Sequence, residues 1–318
     1  MDGWIILDKP VGLGSTQAVG AVKRALREAD WPKRKVGHGG TLDPLASGVL
    51  PIAIGEATKL SGRMLDADKV YAFTIRFGEE TDTLDLEGVV IATSRVRPSL
   101  AALEAVLPRF TGPIEQIPPA YSALKVDGQR AYDRARAGEE VLLASRRVTV
   151  HALTVIPAQA ESHSAAGAGG ALDSGLRRDD EDEYAEVSLL VTVSKGTYIR
   201  SLARDIARLL GTVGHITMLR RLKAGPFTLA SAISLDKLTE FAKAHALEKA
   251  ILPLTAGLDD IPALPVTPDQ ARLLRQGRQV IGIAAAPGLH LALEGINPVA
   301  LVESEGTSLR VVRGFNVD

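Results

Sequence analysis

The stretch Val36-Gly37-His38-Gly39-Gly40-Thr41-Leu42-Asp43-Pro44-Leu45-Ala46-Ser47-Gly48-Val49-Leu50-Pro51 decides how this chain is read. It sets one carboxylate in a loop crowded with glycine. Gly37, Gly39 and Gly40 open backbone conformations closed to other residues and let another molecule approach closely. Asp43 precedes Pro44, which biases it towards an extended or turn conformation and away from helix. Val49-Leu50-Pro51-Ile52-Ala53-Ile54 then reads as a short buried strand. On local chemistry alone, Asp before Pro in such a loop is a turn former. The other reading is an acid projected from a stiff corner just before a core element.

Upstream, Trp4-Ile5-Ile6-Leu7 reads as a buried strand closed by Asp8-Lys9-Pro10. Ser15 or Thr16 is placed to cap a helix to about Glu28, with Ala18, Val19, Val22 and Leu26 on its apolar face. Gly12-Leu13-Gly14 lacks the Gly-Lys-Ser/Thr ending of a phosphate loop and reads as a plain loop. Lys33-Arg34-Lys35 is a short basic cluster, suited to a solvated face or to phosphate contact.

Downstream, Glu56-Ala57-Thr58-Lys59-Leu60 opens a helix. Lys69 to Gly78 alternates as a strand, with Tyr71, Phe73, Ile75 and Phe77 on one face. Thr81 to Gly88 is an acidic turn, and Pro98-Ser99 starts a helix through Leu107. Asp127-Gly128 signals a hairpin, followed by a short helix with Arg130, Arg134 and Arg136 nearby. Arg147–Ile156 and Tyr184–Val193 read as paired strands around a disordered or hairpin-like insertion, 158–183, of low hydrophobicity and no period. A helix follows through Leu210, ended by Gly211, with Arg200, Arg204 and Arg208 on one face, ordinarily a solvated stripe. Ser234 begins a helix to about His245, and 253–265 is a connector. Thr267-Pro268-Asp269-Gln270 is a capping box, and short strands are expected near 290–294, 298–303 and 308–313.

The 318 residues are 46% hydrophobic, enough for a filled core, and the mean hydropathy is +0.10. A formal charge of −1 gives no global basic signal, so an RNA partner would have to meet a local basic patch. There is no cysteine, which excludes disulfides, zinc–thiolate sites and thiol nucleophiles. The six histidines are scattered, and no metal site is read from them. No run is long enough to span a membrane and no basic leader is present, so the expectation is a soluble cytoplasmic protein.

His38 to Pro51 closely resembles the catalytic-aspartate motif of the bacterial tRNA pseudouridine-55 synthases, the TruB family of pseudouridine synthases. Lys9-Pro10 with Gly12, Gln116 to Tyr132, Ser194-Lys195-Gly196-Thr197-Tyr198-Ile199-Arg200 and Leu219 to Phe227 resemble further motifs of that family, in order, over most of residues 3–225. One departure is visible: Gly39 stands where the family commonly has Thr.

The resemblance implies an α+β fold, a catalytic domain on a mixed, mainly antiparallel sheet with flanking helices over 1–252, including the insertion 158–183. Order of elements adds a small C-terminal PUA-like β-barrel over 253–318, an RNA-binding module, and a chain cut near Pro253 is expected to keep its fold. The implied activity is isomerisation of uridine 55 in the T-loop of the tRNA T-arm, after flipping the base out. The N1–sugar bond breaks and a C5–sugar bond forms, with no redox change and no group gained or lost, so no cofactor is needed. By resemblance Asp43 is the catalytic acid, Arg200 its partner, and Tyr71 a stacking ring and proton-transfer phenol. Implied RNA or substrate residues are His38, which fills the vacated space, Lys59, Tyr198, Leu219 in the apolar wall of the base pocket, and Lys9 in a supporting motif. The implied partner is tRNA alone, bound by a monomer without guide RNA, protein partner or membrane. Two other classes stay open: a non-catalytic RNA-binding protein, and a C5 methyltransferase, which the absence of cysteine disfavours.

Overall fold

The computed structural model describes residues 2–122, 124–126, 128–139, 141, 143–157, 178–180 and 183–317. Asp127 and most of the insertion (158–177, 181 and 182) lie outside the described residues. The chain forms two compact units, Met1–Pro44 with Gly48–Asp66 and Lys223–Asp318, and Leu45–Ser47 with Ala67–Leu222.

In the first unit β1 (Gly3–Lys9) pairs antiparallel with β3 (Ser47–Ile54), Gly3 opposite Ile54 and Lys9 opposite Gly48. The short strand β2 (Val36–His38) pairs with the far end of β3, Val36 opposite Ile54. Strand alternation sends Ile5, Leu7, Leu50, Ile52 and Ile54 to one face. They meet Ala18, Val22 and Leu26 of α1 (Ser15–Glu28) there. Trp4, Ile6, Val49 and Ala53 face the other way, onto Leu60 and Met64. Two expectations are corrected here. Gly14, not Ser15 or Thr16, caps α1, because the Ser15 hydroxyl is spent on Leu42. Gly55–Leu60 is a 3-10 helix, and the α-helix α2 begins only at Ser61 and runs to Asp66.

In the second unit, strands run in the order β4-β13-β10-β7, all antiparallel: β4 (Lys69–Phe77), β13 (Glu186–Val193), β10 (Arg146–Val155) and β7 (Gly112–Gln116). β5 (Glu79–Thr81) and β6 (Val90–Thr93) form a hairpin, and Ser99 caps α3 (Leu100–Val106). β8 (Lys125–Val126) pairs with β9 (Gln129–Arg130) ahead of α4 (Ala131–Arg136). At the edge of the insertion β11 (Arg178–Asp180) pairs with β12 (Glu183–Tyr184), so the strand expected from Tyr184 is split before β13. Helix α5 (Ile199–Leu209) buries Ile199, Leu202, Ala203, Ile206 and Ala207. β14 (Gly214–Ala224) then leads back to the first unit, where its end pairs with β15 (Phe227–Thr228).

The chain closes with α6 (Leu235–Lys243), capped by Ser234, β16 (Leu252–Pro253) against β1, and the expected small β-module. Its strand order is β17 (Ala263–Pro265), β19 (Gly288–Glu294), β20 (Asn297–Ser304), β21 (Ser308–Gly314), β18 (Val280–Ile281), with the Thr267–Gln270 capping box opening α7 (Pro268–Arg275). This module has its own core around Ala271, Leu274 and Val302. It also places Leu291, Leu301 and Phe315 against Trp4, Ala53 and Leu60. A cut near Pro253 would uncover that apolar layer, at a cost to the stability of the remainder. Phe315→Ala tests the shared layer: Phe315 is 1% exposed, and emptying such a site costs about 3 kcal/mol or more. Denaturant unfolding of the variant is expected to show a loss of that size. Among the described residues no helix is long and apolar enough to cross a membrane.

Candidate active site

The Asp43 loop is braced from both sides. Before Asp43, the Leu42 N–H donates to the Ser15 hydroxyl, which donates in turn to the Leu42 carbonyl, both at 2.9 Å. After it, the Pro44 carbonyl accepts from the Gly12 N–H at 2.8 Å and from Lys9 Nζ at 3.2 Å. The same ammonium donates to the carbonyls of Pro10 and Leu13 at 2.9 and 2.7 Å. Lys9 is fully buried, so it is a brace inside the protein rather than a surface phosphate contact. In the second unit Arg220 holds Ser47 at 3.2 Å. Asp43 itself is half-buried.

Two of the three glycines ahead of Asp43 have a visible reason. Gly40 takes φ +137°, a region other residues avoid. A Cβ on Gly39 would come within 2.6 Å of Met64 Cβ, so the departure from Thr is matched by a close approach of α2. Gly37 has neither a positive φ nor a near neighbour. His38 ends β2 at the start of this loop, half-buried, its Nδ1 accepting from the Gly40 N–H at 3.4 Å. Lys59 is not at the loop: its ammonium sits on Glu56 at 2.6 Å and on the Gly314 carbonyl at 2.9 Å, tying the 3-10 helix to β21.

The second unit carries the other expected residues. Tyr71 lies on β4 opposite Val191, half-buried, while Phe73, Ile75 and Phe77 of the same face are fully buried. Leu219 is buried on β14. Tyr198 precedes α5, its N–H donating to Gln116 Oε1 at 2.8 Å and its carbonyl accepting from Gln116 Nε2 at 3.0 Å. The Arg146 guanidinium lies 5.6 Å from the Tyr198 ring centre.

Arg200 is not part of a solvated stripe; it is 6% exposed. Its Nη1 donates to the Thr83 carbonyl at 2.8 Å and lies 3.3 Å from Asp85 Oδ2, and its Nη2 donates to the Tyr121 carbonyl at 2.9 Å. Arg204 and Arg208 are also engaged, with Asp205 and the Ile117 carbonyl, and with Glu80. The turn Thr81–Gly88 is thus a cradle for the guanidinium. It is tied internally by Thr81 Oγ1 to the Asp85 carbonyl at 2.7 Å, and by Asp85 Oδ1 and Asp82 Oδ1 to the N–H groups of Glu87 and Val89, both at 3.0 Å. Leu84 is held buried at φ +63°, a left-handed conformation that costs a non-glycine residue about 1 kcal/mol or more. Asp82, Asp85 and Gln116 are residues of this site that the sequence motifs do not mark. The signal was there in Thr81-Asp82-Thr83-Leu84-Asp85, where short polar side chains bond their own backbone.

The α+β frame of this strand order is shared with a protein of known structure. A chain in the crystal structure of a Cbf5–Nop10–Gar1 complex matches 99% of this chain and 85% of its own length, with a TM-score of 0.69 and 26% identity. The model for the TruB family pseudouridylate synthase N-terminal domain matches residues 24–199, and that for the tRNA pseudouridylate synthase B C-terminal domain matches residues 200–259. The tRNA pseudouridine synthase B of Novosphingobium aromaticivorans is 61% identical over 317 residues, covering 100% of this chain and 98% of that protein. That of Zymomonas mobilis subsp. mobilis is 57% identical, covering 99% and 96%. The chain belongs to the TruB family of pseudouridylate synthases, a family of RNA isomerases.

Lys9→Met probes the brace. It removes the ammonium shared by three carbonyls while keeping an unbranched side chain only one atom shorter. Freed from Lys9, Pro44 lets Asp43 drift, and a shift of about 1 Å costs roughly a hundredfold in rate. The expected result is a turnover loss of that order with RNA affinity nearly unchanged, read by single-turnover kinetics and filter binding.

Proposed function

We propose that this enzyme isomerises uridine 55 in the T-loop of tRNA to pseudouridine, with Asp43 as the catalytic acid. The single observation that carries the reading is the double brace on Asp43, Ser15 on Leu42 before it and Lys9 with Gly12 on Pro44 after it. Three routes are open to a carboxylate here: attack at the sugar, attack at the base, and abstraction of a sugar proton. All three need it ionised and fixed in direction, because a reacting group works in proportion to its alignment. In this reading Arg200 is the partner of the catalytic acid.

Tyr71 stacks on the detached uracil and serves proton transfer at C5, and Leu219 walls the base. The base leaves its stack to reach them, at a cost of about a few kcal/mol, and His38 fills the gap. Tyr198, and Lys59 beside β21, meet the RNA, and the C-terminal sheet adds contact area. The reaction uses no cofactor, takes tRNA without guide RNA or partner protein, and is carried out by a monomer in the cytoplasm. The test is release of tritium from C5-labelled uridine in tRNA with nothing else added. Release in proportion to pseudouridine formed supports the reading; binding without release would reduce the protein to an RNA-binding one.

A further inference from the structure

We infer that Tyr121 and Asp82 are positioning residues for Arg200, acting through one hydrogen bond that closes its cradle. The inference rests on the proposed role of Arg200.

Three segments of the second unit meet at the Arg200 guanidinium. The first is the start of α5, which carries it. The second is the turn Thr81–Gly88, which gives the Thr83 carbonyl to Nη1. The third is the run 116–122, which gives the Tyr121 carbonyl to Nη2. The third segment is stitched to α5 independently, by Gln116 on Tyr198 and by Ser201 Oγ donating to the Ile117 carbonyl at 2.8 Å. The second and third segments are joined to each other by the Tyr121 hydroxyl, which donates to Asp82 Oδ2 at 3.0 Å. Asp82 is in turn fixed by the Val89 N–H on its other oxygen. Gly88 leaves room for this: a Cβ there would lie 2.2 Å from Asp82 Oδ1.

A guanidinium is a rigid planar fork, and its direction is set by the spacing of the acceptors at its two ends. Thr83 and Tyr121 carry those acceptors on separate segments. The Tyr121–Asp82 bond fixes the distance between them. Burial pushes the Tyr121 phenol above its ordinary value, and the hydrogen bond to Asp82 and the Asp82 charge act the same way, so the hydroxyl stays a donor at neutral pH. Neither residue needs to touch RNA to affect the rate.

The experiment is a double-mutant cycle on single-turnover rate, using Tyr121→Phe, Arg200→Lys and the pair, with a T-arm stem-loop RNA as substrate. Tyr121→Phe removes only the hydroxyl and leaves the carbonyl that Arg200 uses. It is expected to slow the reaction about tenfold with the RNA dissociation constant within about twofold, since a slight misaim costs rate rather than binding. In the Arg200→Lys background the same change is expected to cost less than about twofold, because residues acting through one another are not additive. Asp82→Asn, which keeps an acceptor oxygen, is expected to lie nearer wild type than Asp82→Ala. A wild-type rate for Tyr121→Phe overturns the inference, as does full additivity with Arg200→Lys, which is what a merely structural role gives. A wild-type rate for Arg200→Lys overturns the proposed role of Arg200 and the inference with it.

Discussion

Asp43→Asn is expected to abolish isomerisation, by about 10⁴-fold or more, the scale seen when an enzyme loses its reacting side chain. Asn keeps the size and one carbonyl oxygen, but it has no charge and is a poor nucleophile and base. The loop does not depend on the carboxylate for its shape, since Ser15, Lys9 and Gly12 grip the backbone of Leu42 and Pro44 on either side. The variant is therefore expected to fold as the wild type does. RNA affinity comes mainly from phosphate contacts, which the substitution leaves alone. Tritium release under single-turnover conditions, with filter binding beside it, separates the two quantities. Measurable turnover by a folded Asp43→Asn protein would remove Asp43 from the chemistry.

Arg200→Lys should lower the rate by at least a hundredfold, with binding changed only a few-fold. The charge survives, but an ammonium cannot reach Thr83, Asp85 and Tyr121 in the planar arrangement that the guanidinium fills. Arg200→Ala should do more. It leaves Asp85, whose side chain is only 10% exposed, without its cation. Breaking a buried pair from one side costs about 3–5 kcal/mol. Denaturant unfolding should therefore show a large loss for Arg200→Ala and a small one for Arg200→Lys. Equal stability of the two variants would mean that Asp85 does not depend on the cation. A wild-type rate for Arg200→Lys would return Arg200 to a purely structural place.

The sequence by itself determined the elements and the Asp43 corner. Alternation in Trp4–Leu7 and Lys69–Phe77, the helix signals after Gly14 and Ser234, and the Thr267–Gln270 box are local patterns, and each is where it was expected. Period and turn chemistry act over a few residues, so they are legible without the rest of the chain. Only the tertiary structure decided what those elements meet. Ser15 has the chemistry of a helix cap, yet its hydroxyl goes to Leu42, 27 residues away. Arg200 sits in a pattern that reads as a solvated stripe, yet its acceptors come from positions 117 and 79 residues distant. The C-terminal strands read as a separable module, yet Phe315 fills the layer under Trp4. A residue's type states which partners it can take. Which partner it finds is set by the long-range closure of the chain, because a buried donor or carboxylate must be satisfied by whatever group folding brings beside it.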